Sequence, residues 1–219
     1  MTDRDWDLHL GIHTTGREDY AADTHHYAYE PTPYCVLERL AASGYIEAGD
    51  VLVDYGCGKG RAALFLNHAL GCRTIGIERD PALYLKAMDN LEGYAVFLSA
   101  LPSGTSAEPA KRAGSTGVSP DVYFFNTDAE DYEIDGANRF YFFNPFSDTI
   151  LRPVIRRIFD SYYSSPRGMK LFFYYPSPEY ESVLASNDEL EFFDDIKCGD
   201  LFPETEGDPR EHILVYGIG

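Results

Sequence analysis

VLVDYGCGKGR, residues Val51–Arg61, decides the architecture of this chain. Val51–Asp54 is β-prone and too short for helical alternation, and the run Gly56–Gly60 breaks it with glycines at alternate positions. Glycine accepts positive φ and lets the backbone approach a ligand without a Cβ in the way. A helix starting at Arg61 aims its unpaired N–H groups above the loop, an arrangement suited to an anion. Asp54, just before the loop, can accept hydrogen bonds from the loop or from a bound ammonium. The stretch is not a phosphate loop, which requires GxxxxGK[ST]. It also departs from the dinucleotide fingerprint GxGxxG, whose third glycine position is Arg61 here. A tight strand-to-helix turn without a ligand is the plainer alternative. Against it stands Glu78, at the end of the next strand and at the spacing of about 20 residues where related sites place an acid for ribose hydroxyls.

Working outward, Arg61–Leu70 carries apolar residues at 62, 65, 66, 69 and 70, one helix face. Thr74–Glu78 reads as a second strand, and Asp80-Pro81 caps a helix to about Leu91. Strand–helix–strand–helix is the pattern of an α/β fold with parallel strands. Upstream, the first thirty residues are polar without a clear period. Thr32 is then an expected N-cap, with Pro33 at the first helical position and Gly44 as the stop. Downstream, Ser103–Pro120 is rich in Gly, Ser, Ala and Pro and reads as a flexible insertion. Val122–Asn126, Phe140–Asn144 and Lys170–Tyr175 are further strands. Ser147 starts a helix that Pro153 is expected to delay, and Ser177-Pro178 caps a short one. Glu191–Lys197 and His212–Tyr216 are joined by turn-rich sequence without a crossover helix, so they should pair antiparallel.

A chain of 219 residues suffices for one domain with a large core, and its 44% apolar content fits a globular protein. No apolar run approaches the roughly 18 residues of a membrane span, and the N-terminus lacks a basic-then-apolar leader. Cytoplasmic localisation is therefore expected, with no membrane partner. Four scattered cysteines without a CxxC pair read as reduced thiols, and the histidines offer no metal-ligand set. The formal charge of −18 opposes nucleic acid. Arg152, Arg156 and Arg157 could form a local basic patch, but a small molecule or a protein is the favoured partner.

The pair VLVDYGCGKGR…TIGIERDP resembles the first two motifs of the class I, Rossmann-like methyltransferases that use S-adenosylmethionine (SAM). The resemblance runs from about Tyr29 to the C-terminal hairpin. It implies a doubly wound, mostly parallel seven-stranded sheet with helices on both faces, closed by an antiparallel hairpin. Residues 29–219 would be the SAM-binding domain and residues 1–28 an N-terminal extension or lid. By the same resemblance, Gly56, Gly58 and Gly60 line the methionine half, Glu78 holds the ribose, Arg79 flanks the adenine and Asp128 meets its amino group. Asn144-Pro145-Phe146, at the end of the fourth strand, is similar to the [DNS]PP[YFW] motif of amino-group methyltransferases. There the Asn and a proline carbonyl bind the acceptor NH2 and the ring stacks on it; this sequence has one proline rather than two. YEPTPY, residues Tyr29–Tyr34, is similar to a segment that closes the cofactor pocket in some small bacterial methyltransferases and in seven-strand histone-lysine methyltransferases. Tyr29, Thr32 and Tyr34 are the corresponding lid residues. The expected activity is methyl transfer to nitrogen of a protein side chain or small molecule. The alternatives are adenine methylation in nucleic acid and a SAM-binding protein without catalysis.

Overall fold

In the computed structural model, residues 1–18, 25–101, 120–202 and 208–219 are described. The strands are β1 Val51–Tyr55, β2 Arg73–Glu78, β3 Val122–Asn126, β4 Arg139–Phe142, β5 Met169–Tyr174, β6 Glu191–Lys197 and β7 His212–Ile218. They form one sheet in the order β3-β2-β1-β4-β5-β7-β6. The first five pair in parallel, while β7 runs antiparallel to both β5 and β6. The expected seven-stranded sheet and closing hairpin are thus both present.

The helices are α1 Asp3–Leu10, α2 Tyr34–Ala42, α3 Arg61–Leu70, α4 Pro81–Ala100, α5 Asp148–Ser164 and α6 Pro178–Ala185. Buried residues of α2, α3 and α4, with Leu10 of α1, pack on one sheet face, and those of α5 and α6 on the other. Side chains alternate along each strand, so Val53 and Tyr55 enter one core while Leu52 enters the other. Local caps agree with this arrangement. Asp80 accepts the amides of Ala82 and Leu83 at the start of α4, and Ser177 accepts that of Tyr180 in α6.

Several boundaries differ from the sequence reading. Residues 3–10 are helical, not irregular: a reciprocal cap between Thr2 and Asp5 starts α1, and Gly11 ends it in the left-handed region at φ 70°. Leu10 and Ile12 are fully buried in the same core as α2 and α3. At α2, Pro33 rather than Thr32 stands at the cap and has no side-chain acceptor to offer, while the Thr32 hydroxyl lies 2.9 Å from that of Tyr141. Helix α4 runs on to Ala100 because Gly93 is a packing residue: a Cβ there would come within 2.1 Å of the Gly11 carbonyl oxygen. Helix α5 begins at Asp148 and accommodates Pro153 in its second turn, where one backbone bond is forgone. The expected insertion Ser103–Pro120 lies outside the described residues, except Pro120. Among the described residues, no helix is long and apolar enough to cross a membrane.

Candidate functional site

In sheets of this kind the strand order reverses between two neighbours, leaving a crevice at their carboxyl ends. Here the reversal lies between β1 and β4. A cavity of about 900 Å3 opens at those ends. Of the residues expected at the site, Tyr29, Thr32, Asp54, Gly56, Gly58, Glu78, Arg79, Asn144, Pro145 and Phe146 line it. The fold therefore gathers segments more than a hundred residues apart.

The glycine loop is closely covered. A Cβ on Gly56 would come within 2.2 Å of Pro145, and one on Gly58 within 2.2 Å of the Tyr29 ring. Gly58 also has φ +56°, so both the backbone and the space require glycine. Gly60 behaves differently. It stands at φ +86° before α3, a Cβ would lie 2.5 Å from Phe124, and it does not line the cavity. Its role is to seat α3 against β3.

Glu78 is 8% exposed, and each of its oxygens accepts a backbone amide at 2.8 Å, from Gly58 and from Asp80. The acid thereby holds the loop to the end of β2, and each carboxylate oxygen keeps further acceptor capacity. Burial raises its pKa, opposed by those amides. Asp54 is 4% exposed, and its Oδ2 has no hydrogen-bond partner. Burial pushes its carboxyl up to about 7, against the pull of the Ala63 amide and with the nearby Glu78 charge adding to the rise. Burial also holds the Cys57 thiol well up, so it is protonated. An orphaned acid oxygen at the cavity is the complement of a ligand cation.

Arg79 reaches the lip, with its Nε 3.2 Å from Asp128 and Nη1 2.8 Å from His26 Nδ1. Asp128 itself does not line the cavity; its neighbours Thr127 and Ala129 do. The segment around Tyr29 crosses the mouth. The Tyr27 amide donates to the Pro145 carbonyl at 3.3 Å, and the Ser147 amide to the His25 carbonyl at 2.8 Å. The Tyr29 hydroxyl donates to the Thr14 carbonyl at 2.7 Å. Tyr34, expected beside it, instead lies in the core and donates to Asp7 at 2.7 Å.

Asn144, Pro145 and Phe146 line the cavity, and their polar groups also bond within the fold. Asn144, at φ 41°, donates its amide nitrogen to the Tyr175 carbonyl at 2.5 Å and accepts the Ser177 amide at 3.2 Å. The Pro145 carbonyl already receives the Tyr27 amide. Phe146 is 3% exposed, edge-on to Phe142 in the core beneath α5 and α6. These residues fix the turn after β4 to the turn after β5, and the Asn144 amide and the Pro145 carbonyl each keep a second bonding position.

Two groups of residues escaped the sequence reading. Arg61, the first residue of α3, is 2% exposed and binds the Thr14 hydroxyl, the Thr32 carbonyl and Asp3. It also lies 3.7 Å from Asp7 and 4.4 Å from the Tyr34 ring centre. It ties the N-terminal helix to the glycine loop; the acids in DRDWD were the only signal. The second group is the far wall, formed by Tyr141, Phe143, Tyr174, Tyr175, Phe202 and Glu211. Glu211 accepts the Tyr174 hydroxyl at 2.9 Å. Aromatic strand ends at 172–175 hinted at this wall; nothing local marked Glu211.

No family model and no curated protein matches the chain. Solved structures do. An rRNA methylase from Streptococcus thermophilus aligns at 12% identity and TM-score 0.51, over 87% of this chain and 98% of that one. A precorrin 8W decarboxylase from Methanobacterium thermoautotrophicum aligns at 17% and 0.53, over 87% and 92%. A TehB-like SAM-dependent methyltransferase from Corynebacterium glutamicum aligns at 15% and 0.50, over 83% and 86%. The chain has the Rossmann-like α/β fold of these proteins.

Proposed function

We propose that this chain binds SAM above the glycine loop and transfers its methyl group to nitrogen of a small molecule or a protein side chain. The observation that carries this reading is the orphaned Oδ2 of buried Asp54 beside a cavity whose glycine loop is latched by Glu78. The fit is chemical as well as steric. SAM carries an ammonium and a sulfonium, and Asp54 and Glu78 supply negative charge with acceptor capacity to spare. When bound, SAM supplies an activated methyl group.

Each residue has a part under this reading. Asp54 accepts the ammonium, and Glu78 accepts ribose hydroxyls while holding Gly58 in place. Gly56 and Gly58 let the ligand lie against backbone, and Tyr29 with Thr32 covers the mouth and excludes water. Arg79, with Asp128 behind it, borders the adenine side, and Gly60 acts through the seating of α3. Asn144, Pro145 and Phe146 shape the acceptor side as positioning residues.

The S. thermophilus neighbour raises RNA as an acceptor, but two observations disfavour it. The chain carries a net charge of −18. Of the arginines on α5, Arg152 lies 3.6 Å from Asp148 and Arg157 4.0 Å from Asp131. Calorimetric titration with SAM tests the reading, with micromolar binding to the folded protein expected. Glu78→Ala should weaken it at least tenfold, since the loop amide loses its anchor. Absence of binding by the wild-type chain would overturn the cofactor assignment.

A further inference from the structure

Under the proposed reading Asp54, Gly58 and Glu78 hold the cofactor, and the far wall of the cavity has a composition of its own. Phe143, Tyr174 and Tyr175 form one packed group, with ring centres 4.7 Å apart for Phe143–Tyr174, 6.4 Å for Phe143–Tyr175 and 6.1 Å for Tyr174–Tyr175. Glu211 stands against them, its carboxylate touching the Tyr174 hydroxyl. Aromatic faces with an adjoining carboxylate attract organic cations, through the ring quadrupole and through charge.

The charges around the cavity sharpen this. Its three arginines each face carboxylates: Arg17 lies 3.8 Å from Glu30, Arg61 binds Asp3, and Arg79 lies 3.2 Å from Asp128. Outside the lining, Arg210 sits over the Tyr175 ring at 4.1 Å, already using that face for a cation, and lies 3.6 Å from Asp208. Glu211 pairs with no basic side chain among the described residues. With Asp54 and Glu78 assigned to the cofactor, Glu211 is a carboxylate in surplus.

We infer that the methyl acceptor is an alkylammonium compound or side chain, and that Glu211 with the Phe143–Tyr174–Tyr175 wall is the determinant that selects its positive charge. This rests on the methyltransferase reading and narrows its acceptor class. Glu211 acts here in recognition. A primary amine enters as its ammonium form, and it must lose a proton to solvent or to a carboxylate before its nitrogen is nucleophilic.

The test is calorimetric, on the full chain with and without S-adenosylhomocysteine. The probes are phenethylamine, phenethyl alcohol and phenylacetate, which differ mainly in charge. The amine is expected to bind at least tenfold more tightly than the alcohol, and phenylacetate more weakly than either. Glu211→Gln keeps the acceptor for Tyr174 and should bring the amine to the level of the alcohol, leaving S-adenosylhomocysteine affinity unchanged. Equal binding of amine and alcohol to the wild-type protein overturns the inference, whatever the variant does. So does a Glu211→Gln variant that loses the homocysteine ligand as severely as the amine, since the carboxylate would then serve the cofactor. Absence of S-adenosylhomocysteine binding with charge discrimination intact overturns the cofactor reading and leaves the cation site standing. Nα-acetyl-lysine methylamide, run beside phenethylamine, separates the two sources. Tighter binding of the lysine derivative assigns a protein side chain, and tighter binding of phenethylamine a free amine; either supports the inference.

Discussion

Replacing Asp54 by Asn should stabilise the empty protein while weakening its hold on SAM. Burial raises the Asp54 carboxyl from a reference of 3.8 to about 7. A rise of that size means that the ionised form costs about 4 kcal/mol more in the folded chain than in the unfolded one. The sign follows from proton binding. Between these pH values the folded state holds a proton that the unfolded state has released, so stability falls as pH rises. The loss starts near pH 4, amounts to about 1.5 kcal/mol at pH 5 and is complete above about pH 7. Asn fills the same space, can still accept the Ala63 amide and cannot ionise. Its advantage over Asp should therefore grow by about 2–3 kcal/mol between pH 5 and pH 8. For a chain of this length that change corresponds to a difference in Tm on the order of 5–10 °C. Urea unfolding of both proteins at pH 5, 6, 7 and 8 measures it. The same variant should bind SAM at least tenfold more weakly at pH 8. A stability difference constant across these pH values would refute the reasoning, because it would mean that Asp54 titrates alike folded and unfolded.

Arg61→Met should cost about 3–5 kcal/mol in urea unfolding, because the buried Asp7 and the adjoining Asp3 lose their counter-charge; a loss under 1 kcal/mol would show that the network is incidental. Asn144→Ala should cost about 1–2 kcal/mol by releasing the Tyr175 carbonyl and the Ser177 amide. It should lower turnover with little change in SAM affinity, measured by calorimetry beside a labelled-methyl assay.

The legible parts of this protein share one physical property: they are written in short-range sequence. The glycine loop follows a strand within eleven residues, and the Asp80 cap acts on amides two and three residues away. The terminal hairpin was legible because no crossover helix fits between its strands. The missed elements depend on distant partners. Helix α1 is only eight residues long, and its anchors are Arg61 and the core around α2. The extension of α4 past Leu91 depends on the Gly11 carbonyl fitting against Gly93.

Local sequence determined the order of the seven strands and of the helices after α1, the glycine loop with Glu78 at the next strand end, and the net acidity of the chain. Periodicity, caps and charge act locally or additively, so they survive in a linear reading. Tertiary structure alone decided how the polar groups at the site are engaged. It committed the Asn144 amide and the Pro145 carbonyl to internal partners, took Gly60 away from the cavity, and left Asp54 Oδ2 without a partner. It also brought Glu211 against Tyr174 across 37 residues of chain. A hydrogen bond is satisfied or orphaned only once the whole chain is in place, and the chemistry of a buried site follows from that.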